Sequence, residues 1–522
     1  MKYLTNKSKY LFLLLSALSI PSIFAQEKGL DQQIDEAFKP FSDTISNIIF
    51  FEILGTPFVL ILLVGSALFF TIYFGFVNIR RFPTAINVVR GKYDELDEGH
   101  GGKKSDGDGD EGEVTHFQAL ATAVSGTVGN GNIAGVALAI ALGGPGATFW
   151  MVICGLLGMS SKFVECTLGV QYRDVGEDGT IYGGPMYYIS KGLKERGFTT
   201  LGKVAAIFFA IFCIGGSFGG GNAAQSNQAT IVLKDLMNLQ STAAGFWIGI
   251  VLAILVGIII IGGIKRIAQV TEKVVPFMAV MYVVACLYII FSNYTLIDDA
   301  FSMIFREAFN PTAIGVGSFI GVLLVGFKRA AFSNEAGAGS ASIAHSAVKT
   351  KYSASEGLVA LLEPFIDTVV ICTMTALVII IFNFGGAFQY GGEGAVMIDG
   401  ISYEGAGITS MAFAQYIPYS NIFLTIAVVL FAVSTMISWS YYGLQSWKYL
   451  FGRGQAADLA YKLLFLTFVI IGASASMNSI WAFSDAMIFA MVFPNMVGLF
   501  FLFPVVKKEL NRYLKAIRTI ED

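Results

Sequence analysis

SGTVGNGNIAG, Ser125 to Gly135, and RAAFSNEAGAGSAS, Arg329 to Ser342, are glycine-rich breaks set inside otherwise apolar helical stretches. In a bilayer every backbone N–H and C=O needs a partner, and a continuous helix supplies them internally. Runs of Gly, Asn, Ser and Thr at membrane depth weaken the helix and free some of those groups. Such breaks are tolerated only where the freed groups are buried in protein or line a cavity. One break in each half of a multi-spanning chain points to a secondary transporter with its substrate site between them.

The composition agrees. With 522 residues, 55% of them hydrophobic and 14% charged, and a mean hydropathy of +0.67, the chain is too apolar for a soluble globule. Many windows exceed 18 apolar residues, enough to cross a hydrocarbon core of about 30 Å. The net charge of −3 carries no message about partners, and no basic patch with interleaved aromatics suggests nucleic acid. The five cysteines, Cys154, Cys166, Cys213, Cys286 and Cys372, form no Cys-x-x-Cys pair and read as small core residues.

Residues 1–25 place Lys2, Lys7 and Lys9 before an apolar run that ends in Ser22-Ile-Phe-Ala25. This reads as a secretory signal peptide, with an uncleaved membrane helix as the alternative. Residues 26–51 would then lie outside the membrane. Hydropathy and turn signals mark about eleven spans within 52–504, near 52–76, 117–141, 145–171, 204–234, 243–263, 274–292, 312–347, 356–383, 419–447, 460–478 and 481–504. Arg80, Arg81, Lys103, Arg173, Lys194, Lys265, Lys349 and Arg453 fall in loops of one side, together with the tail 505–522. The other side holds little beyond Lys234 and Arg306. By the positive-inside rule the C-terminus is cytoplasmic, the mature N-terminus is external, and the protein sits in a bacterial inner membrane. The acidic segment 94–113 spaces Asp106, Asp108 and Asp110 like the start of a calcium loop. Its glycine comes late, at Gly112, and Phe117 stands where the bidentate acid is needed, so a disordered cytoplasmic loop is expected.

The two broken spans lie five apart and run in opposite directions, the layout of an inverted five-plus-five repeat with discontinuous helices. Freed N–H groups at half-helix N-termini suit a carboxylate, and freed carbonyls suit a sodium ion or an ammonium group. A zwitterionic amino acid satisfies both, and the glycines favour a small side chain. Close helix packing through small residues is the competing account, and it leaves Asn130, Asn132, Ser333 and Asn334 unexplained. A third polar cluster, GGGNAAQSNQA (Gly219 to Ala229), puts Asn222, Gln225 and Ser226 on one helix face. There Gln225 either hydrogen-bonds substrate or glues helices together. STMISWSYYG (Ser434 to Gly443) offers the hydroxyls of Ser434, Thr435 and Ser438 to a hard cation and Trp439 to close a pocket. Helix back-bonding and an interfacial Trp are the alternative reading. Among charged residues in spans, Lys162 and Glu165 are expected to pair within one helix. Glu335 and Asp367 are expected in structural ion pairs, with a proton or cation path as the alternative. His345 is expected to cap or pack near the cytoplasmic end.

At these residues the chain resembles the sodium:alanine symporter family, the alanine or glycine:cation symporters, from about Phe51 to Pro504. The likeness rests on GTVGNGNIAG, on GGPGATFWM followed by EC-LGV-YR, on GGPMYYI (Gly183 to Ile189), on KRAAFSNEAGAGSASIAH and on STMISWSYYG. Two positions depart from the family pattern: Asn130 stands where threonine is usual, and Val152 replaces a second tryptophan. The resemblance implies an all-α membrane protein of the amino acid–polyamine–organocation superfold, with eleven helices, one of them added before the repeats. It implies a symporter, not an enzyme, that carries alanine or glycine with sodium as co-substrate and needs no cofactor. It would place Thr127, Gly129, Asn130, Gly131 and Asn132 at the carboxylate and the ion site, and Gln225 on the substrate. Phe332, Ser333 and Asn334 would form the second break, while Trp439 and Thr435, with Ser438, would close the pocket and serve the cation. Three other readings compete. A proton could replace sodium. A membrane-embedded enzyme would need a motif such as His-Glu-x-x-His or Gly-x-Ser-x-Gly, which the sequence lacks. A passive channel would need pore-lining rings in place of paired helix breaks.

Overall fold

The computed structural model describes residues 29–96, 112–177, 179–261, 263–311, 318–392 and 394–521. The expected signal peptide and residues 97–111 of the acidic loop lie outside the described residues. Helices carry the fold: α1 Leu30–Ile49, α2 Phe58–Tyr73, α3 His116–Thr127, α4 Val136–Gly143, α5 Gly146–Gln171, α6 Pro185–Glu195, α7 Thr199–Phe218, α8 Ala224–Met237 and α9 Ala244–Ile260. They continue as α10 Gly263–Ser292, α11 Ile297–Phe309, α12 Phe319–Asn334, α13 Ser353–Val359, α14 Thr373–Asn383, α15 Ala406–Ala414, α16 Ser420–Phe451, α17 Gln455–Ser474 and α18 Met477–Glu521. Among the described residues three two-stranded hairpins sit in the connections.

Among the described residues seven helical stretches are long and apolar enough to span a membrane. An eighth is the pair α3 and Gly131–Gly143, bent by 50° at its break, and α2 and α9 are shorter apolar helices. Their outer faces are what lipid exposure produces. Val251, Ile254 and Ile258 on α9, and Phe277, Val280 and Val284 on α10, recur at helical spacing and are exposed. Inward faces use small residues so that backbones approach closely. A methyl group on Gly146 would meet the Glu307 carbonyl at 2.3 Å, and one on Gly326 would meet that of Ala147 at 2.6 Å. All five cysteines are buried and free, as core residues.

Several boundaries differ from the hydropathy reading. The last helix runs without interruption to Glu521, so the tail expected from 505 onward is helical, and Lys92 Nζ pairs with Glu521 at 2.9 Å. α1 and α11 were not foreseen because their amphipathic periodicity does not raise local hydropathy. α1 is anchored by Ser42 Oγ donating to the Ser479 carbonyl at 2.7 Å and by Phe38 edge-on to Phe483.

At one end of the bundle two chain segments are tied together by backbone. Glu113 N–H donates to the Ala347 carbonyl at 2.7 Å, and Lys349 N–H to that of Val114 at 2.8 Å. This strap joins the chain entering α3 to the chain leaving the second break. Arg173 donates to the carbonyls of Ser346, at 2.9 Å, and Val348. Towards the other end, beside the far end of α8, lies a cavity of about 960 Å³ bordered by Lys234, Asp235, Glu404 and Asn421.

Candidate functional site

α3 begins with a capping box at Thr115 and Gln118 and stops at Thr127, because Val128 (φ −74°, ψ 87°) leaves helical geometry. A π-helical turn, Gly131–Gly135, then restarts the helix. Side chains recruited from inside and outside the break satisfy its freed groups. Asn132 Oδ1 accepts the Gly129 N–H at 2.9 Å, and Gln225 Oε1 accepts the Asn130 N–H at 2.9 Å. Asn130 Nδ2 donates to the Gln225 carbonyl at 3.2 Å, which leaves Asn130 Oδ1 buried without a partner.

Gln225 reaches this point because a second π-helical turn, Gly219–Ala223, interrupts the helix between α7 and α8. Gln225 Nε2 caps that turn by donating to the Gly220 carbonyl at 2.9 Å. The glycines there make room for Trp439, since a methyl on Gly221 would lie 2.1 Å from Trp439 Cγ. Trp439 Nε1 donates to the Gly126 carbonyl at 3.2 Å and to Glu335 Oε1 at 3.0 Å, so one indole touches both breaks. A methyl on Gly129 would lie 2.4 Å from Thr435 Oγ1, whereas one on Gly131 would meet Ser333 only at 3.5 Å. Of the two glycines, Gly129 marks the tighter approach.

The second break is built differently. α12 ends at Asn334, and Glu335 (φ +55°), Gly337 (+93°) and Gly339 (+89°) take the left-handed region. Glu335 holds this bend together by accepting from Ser340 and from Trp439. Asn334 Nδ2 donates to Thr368 Oγ1 at 2.9 Å, and its Oδ1 accepts the Ala336 N–H at 3.0 Å. Phe332 stacks on Trp481 with ring centroids 4.9 Å apart. Asp367 joins the breaks: its Oδ1 accepts from Asn132 Nδ2 at 2.6 Å and from Ser333 Oγ at 3.0 Å, and its Oδ2 from Thr368 Oγ1 at 2.6 Å.

The expected site residues therefore converge. Asn130, Gly131, Asn132, Gln225, Phe332, Ser333, Asn334 and Trp439 are all buried at the meeting of the two breaks. Thr127 stands slightly apart, its hydroxyl turned back to the Ala123 carbonyl at 3.3 Å. Thr435 and Ser438 donate to the carbonyls of Ser125 (3.0 Å) and Thr122 (2.9 Å), and their oxygens keep lone pairs for a cation. Both polar atoms of Asn132 are taken up in holding the break.

Tertiary packing overturns the expected local pairings. Lys162 reaches across to Glu363 at 3.0 Å and does not pair with Glu165, which accepts from Asn495 Nδ2 at 2.8 Å. Glu335 and Asp367 bond to neutral donors and not to cations, because hydroxyls, an amide and an indole surround them. His345 packs, as one of the two expected roles allowed: it is wholly buried and bonds Glu356, with Glu363 3.7 Å away. Asp485, which receives Arg329 and Lys328 (3.0 Å), escaped notice. A lone acid in an apolar stretch is itself the signal that could have found it.

A model of the sodium:alanine symporter family matches residues 40–522. The sodium/alanine symporter AgcS of Methanococcus maripaludis is 39% identical over 459 residues, 88% of this chain and 94% of its own length. The probable sodium/glutamine symporter GlnT of Bacillus subtilis is 30% identical over 472 residues, 90% of this chain and 91% of its own. Among solved structures, MhsT in complex with L-phenylalanine aligns with a TM-score of 0.51 at 14% identity, over 77% of this chain and all of that one, a likeness of fold.

Proposed function

The chain belongs to the sodium:alanine symporter family, and on that premise we propose that it imports alanine and glycine by sodium symport through alternating access. The observation that carries this reading is the meeting of two interrupted helices, with Gly129 tight against Thr435, beside a third interruption whose Gly221 lies tight against Trp439. A space limited in this way suits an amino acid with a methyl group or none.

The N–H groups around Gly129 to Gly131 would receive the carboxylate. Gln225 would exchange its internal bonds for substrate contacts, and Phe332, Ser333, Asn334 and Trp439 would enclose the ammonium and side chain. The carbonyls of Ser125 and Thr122 accept from Thr435 and Ser438, and these four oxygens would give an alkali cation oxygen-only surroundings through their remaining lone pairs. Asp367 brings a carboxyl group to the junction, where it accepts from Asn132 and Ser333. Substrate would enter from the end with the 960 Å³ cavity while the backbone strap holds the other end closed. On the positive-inside rule the loop charges support a strapped end that faces the cytoplasm of a bacterial inner-membrane protein, with the C-terminus on the same side.

Purified carrier in proteoliposomes should accumulate labelled alanine under an inward sodium gradient, with glycine competing. Uptake that is equal when potassium replaces sodium would overturn the coupling. Competition by glutamine in place of glycine would move the substrate class.

A further inference from the structure

Near the strapped end a chain of buried ionisable groups plays no part in the site above. Glu356 Oε2 contacts His116 Nδ1, and Glu356 Oε1 contacts His345 Nδ1. His345 Nε2 lies 3.7 Å from Glu363 Oε2, and Glu363 Oε1 accepts from Lys162 Nζ at 3.0 Å. His345, Glu356, Glu363 and Lys162 are fully buried, and His116 alone keeps a 9% exposed edge.

The three bridged residues come from three different places. His116 opens α3, His345 follows the second break, and Glu356 stands on α13. One carboxylate thus clamps the ends of both broken helices beside the Glu113–Ala347 strap, and parting those helices pulls at least one imidazole away from it. The charges packed around the clamp are unbalanced. From α5, Lys162 pairs with Glu363, and Glu165 and Glu335 also act on it. Glu356 adds a further buried carboxyl group to Glu165, Glu335 and Glu363. Arg173 is turned to the carbonyls of Ser346 and Val348, and Glu113 to the Ile181 N–H. Buried charge without a counter-charge is expensive, and the two imidazoles are the groups here that can supply one by binding a proton.

We propose that Glu356 with His116 and His345 is a proton-binding site of the carrier, which holds one proton while this end is closed and gives it to water when the end opens. His116, at the exposed edge, is the port. Release during a transport cycle rests on the alternating-access reading above, whereas the existence of the site does not.

The chain holds three histidines, His100, His116 and His345, so ring-nitrogen NMR of the full-length protein in nanodiscs, labelled with ¹⁵N-histidine, reads the site directly. His100 lies outside the described residues, and a His100→Gln variant assigns its signal. The expected result is one freely titrating histidine near the ordinary value of about 6.5 and two that share one proton unchanged between about pH 6 and 8. In Glu356→Gln both should titrate freely. Three histidines titrating alike in the wild type would overturn the proposal even if the variant failed to fold. Signals unchanged in a folded Glu356→Gln would overturn it too. In proteoliposomes, acidifying the strapped side below about pH 6.5 should slow alanine release there by up to about tenfold per pH unit, and His116→Gln should abolish that dependence. PH dependence that persists in His116→Gln would overturn the release step. Absence of alanine transport at every pH would overturn the function proposed above and leave the NMR to decide on the site.

Discussion

The two helix breaks have similar composition and are held by different chemistry. The first leaves the helix briefly at Val128 and Gly129, bends by 50°, and has its freed N–H groups capped by the neutral amides of Asn132 and Gln225. The second abandons the helix through three left-handed residues and is cross-braced by the carboxylate of Glu335. An amide fixes geometry at no electrostatic cost, whereas a carboxylate brings a charge whose surroundings must be maintained. The two breaks share one indole, that of Trp439.

The sharpest way to break the comparison is Gly221→Ala. Its new methyl would lie 2.1 Å from Trp439 Cγ, so the indole that couples the breaks must leave. Alanine binding and uptake should vanish, as read by equilibrium binding on protein checked for monodispersity. Normal binding by a folded variant would show that Trp439 couples nothing. Next comes Gln225→Ala, which strands the Asn130 N–H in a buried place. A cost of about 1–3 kcal/mol is expected, roughly tenfold or more in affinity at its middle, read as the dissociation constant for alanine.

Glu335→Gln should cost less, because the amide oxygen still accepts from Ser340 or Trp439 and only the charge assistance is lost. We expect about 0.5–1.5 kcal/mol, read as a several-fold change in the same constant. A larger effect than that of Gln225→Ala would reverse the roles of the two breaks. Gly131→Ala is expected to change binding by less than about threefold, since its methyl would meet Ser333 at an ordinary 3.5 Å. Smallest of all, removing residues 99–111, which spares the Gly112–Val114 strap, should leave sodium-driven uptake at the wild-type rate.

Much of the site was legible because glycine and amide residues are conspicuous in an apolar chain. Asn130, Gln225, Ser333 and Trp439 stand out by composition alone, and the structure brings them together. What could not be read is which partner each polar group takes. Lys162 and Glu165 sit three apart on one helix, yet Lys162 finds Glu363 and Glu165 finds Asn495, because the wall facing α5 offers those partners. His345 is expected to cap or pack, and nothing in the sequence names Glu356 and Glu363 as the groups it packs against. α1 and α11 escaped a reading based on hydropathy because each buries only one face.

Sequence by itself determined the membrane class, the apolar helices and the places where they break. These follow from local chemistry, since a bilayer demands internal hydrogen bonding and glycine withdraws it. Only the tertiary structure decided that Gln225 caps the first break, that Asp367 joins it to Ser333, and that Glu356 binds two histidines from different helices. Those pairings depend on side chains more than 10, and up to about 240, residues apart meeting across packed helices. No periodicity records such meetings, because buried polar groups choose partners by position in space.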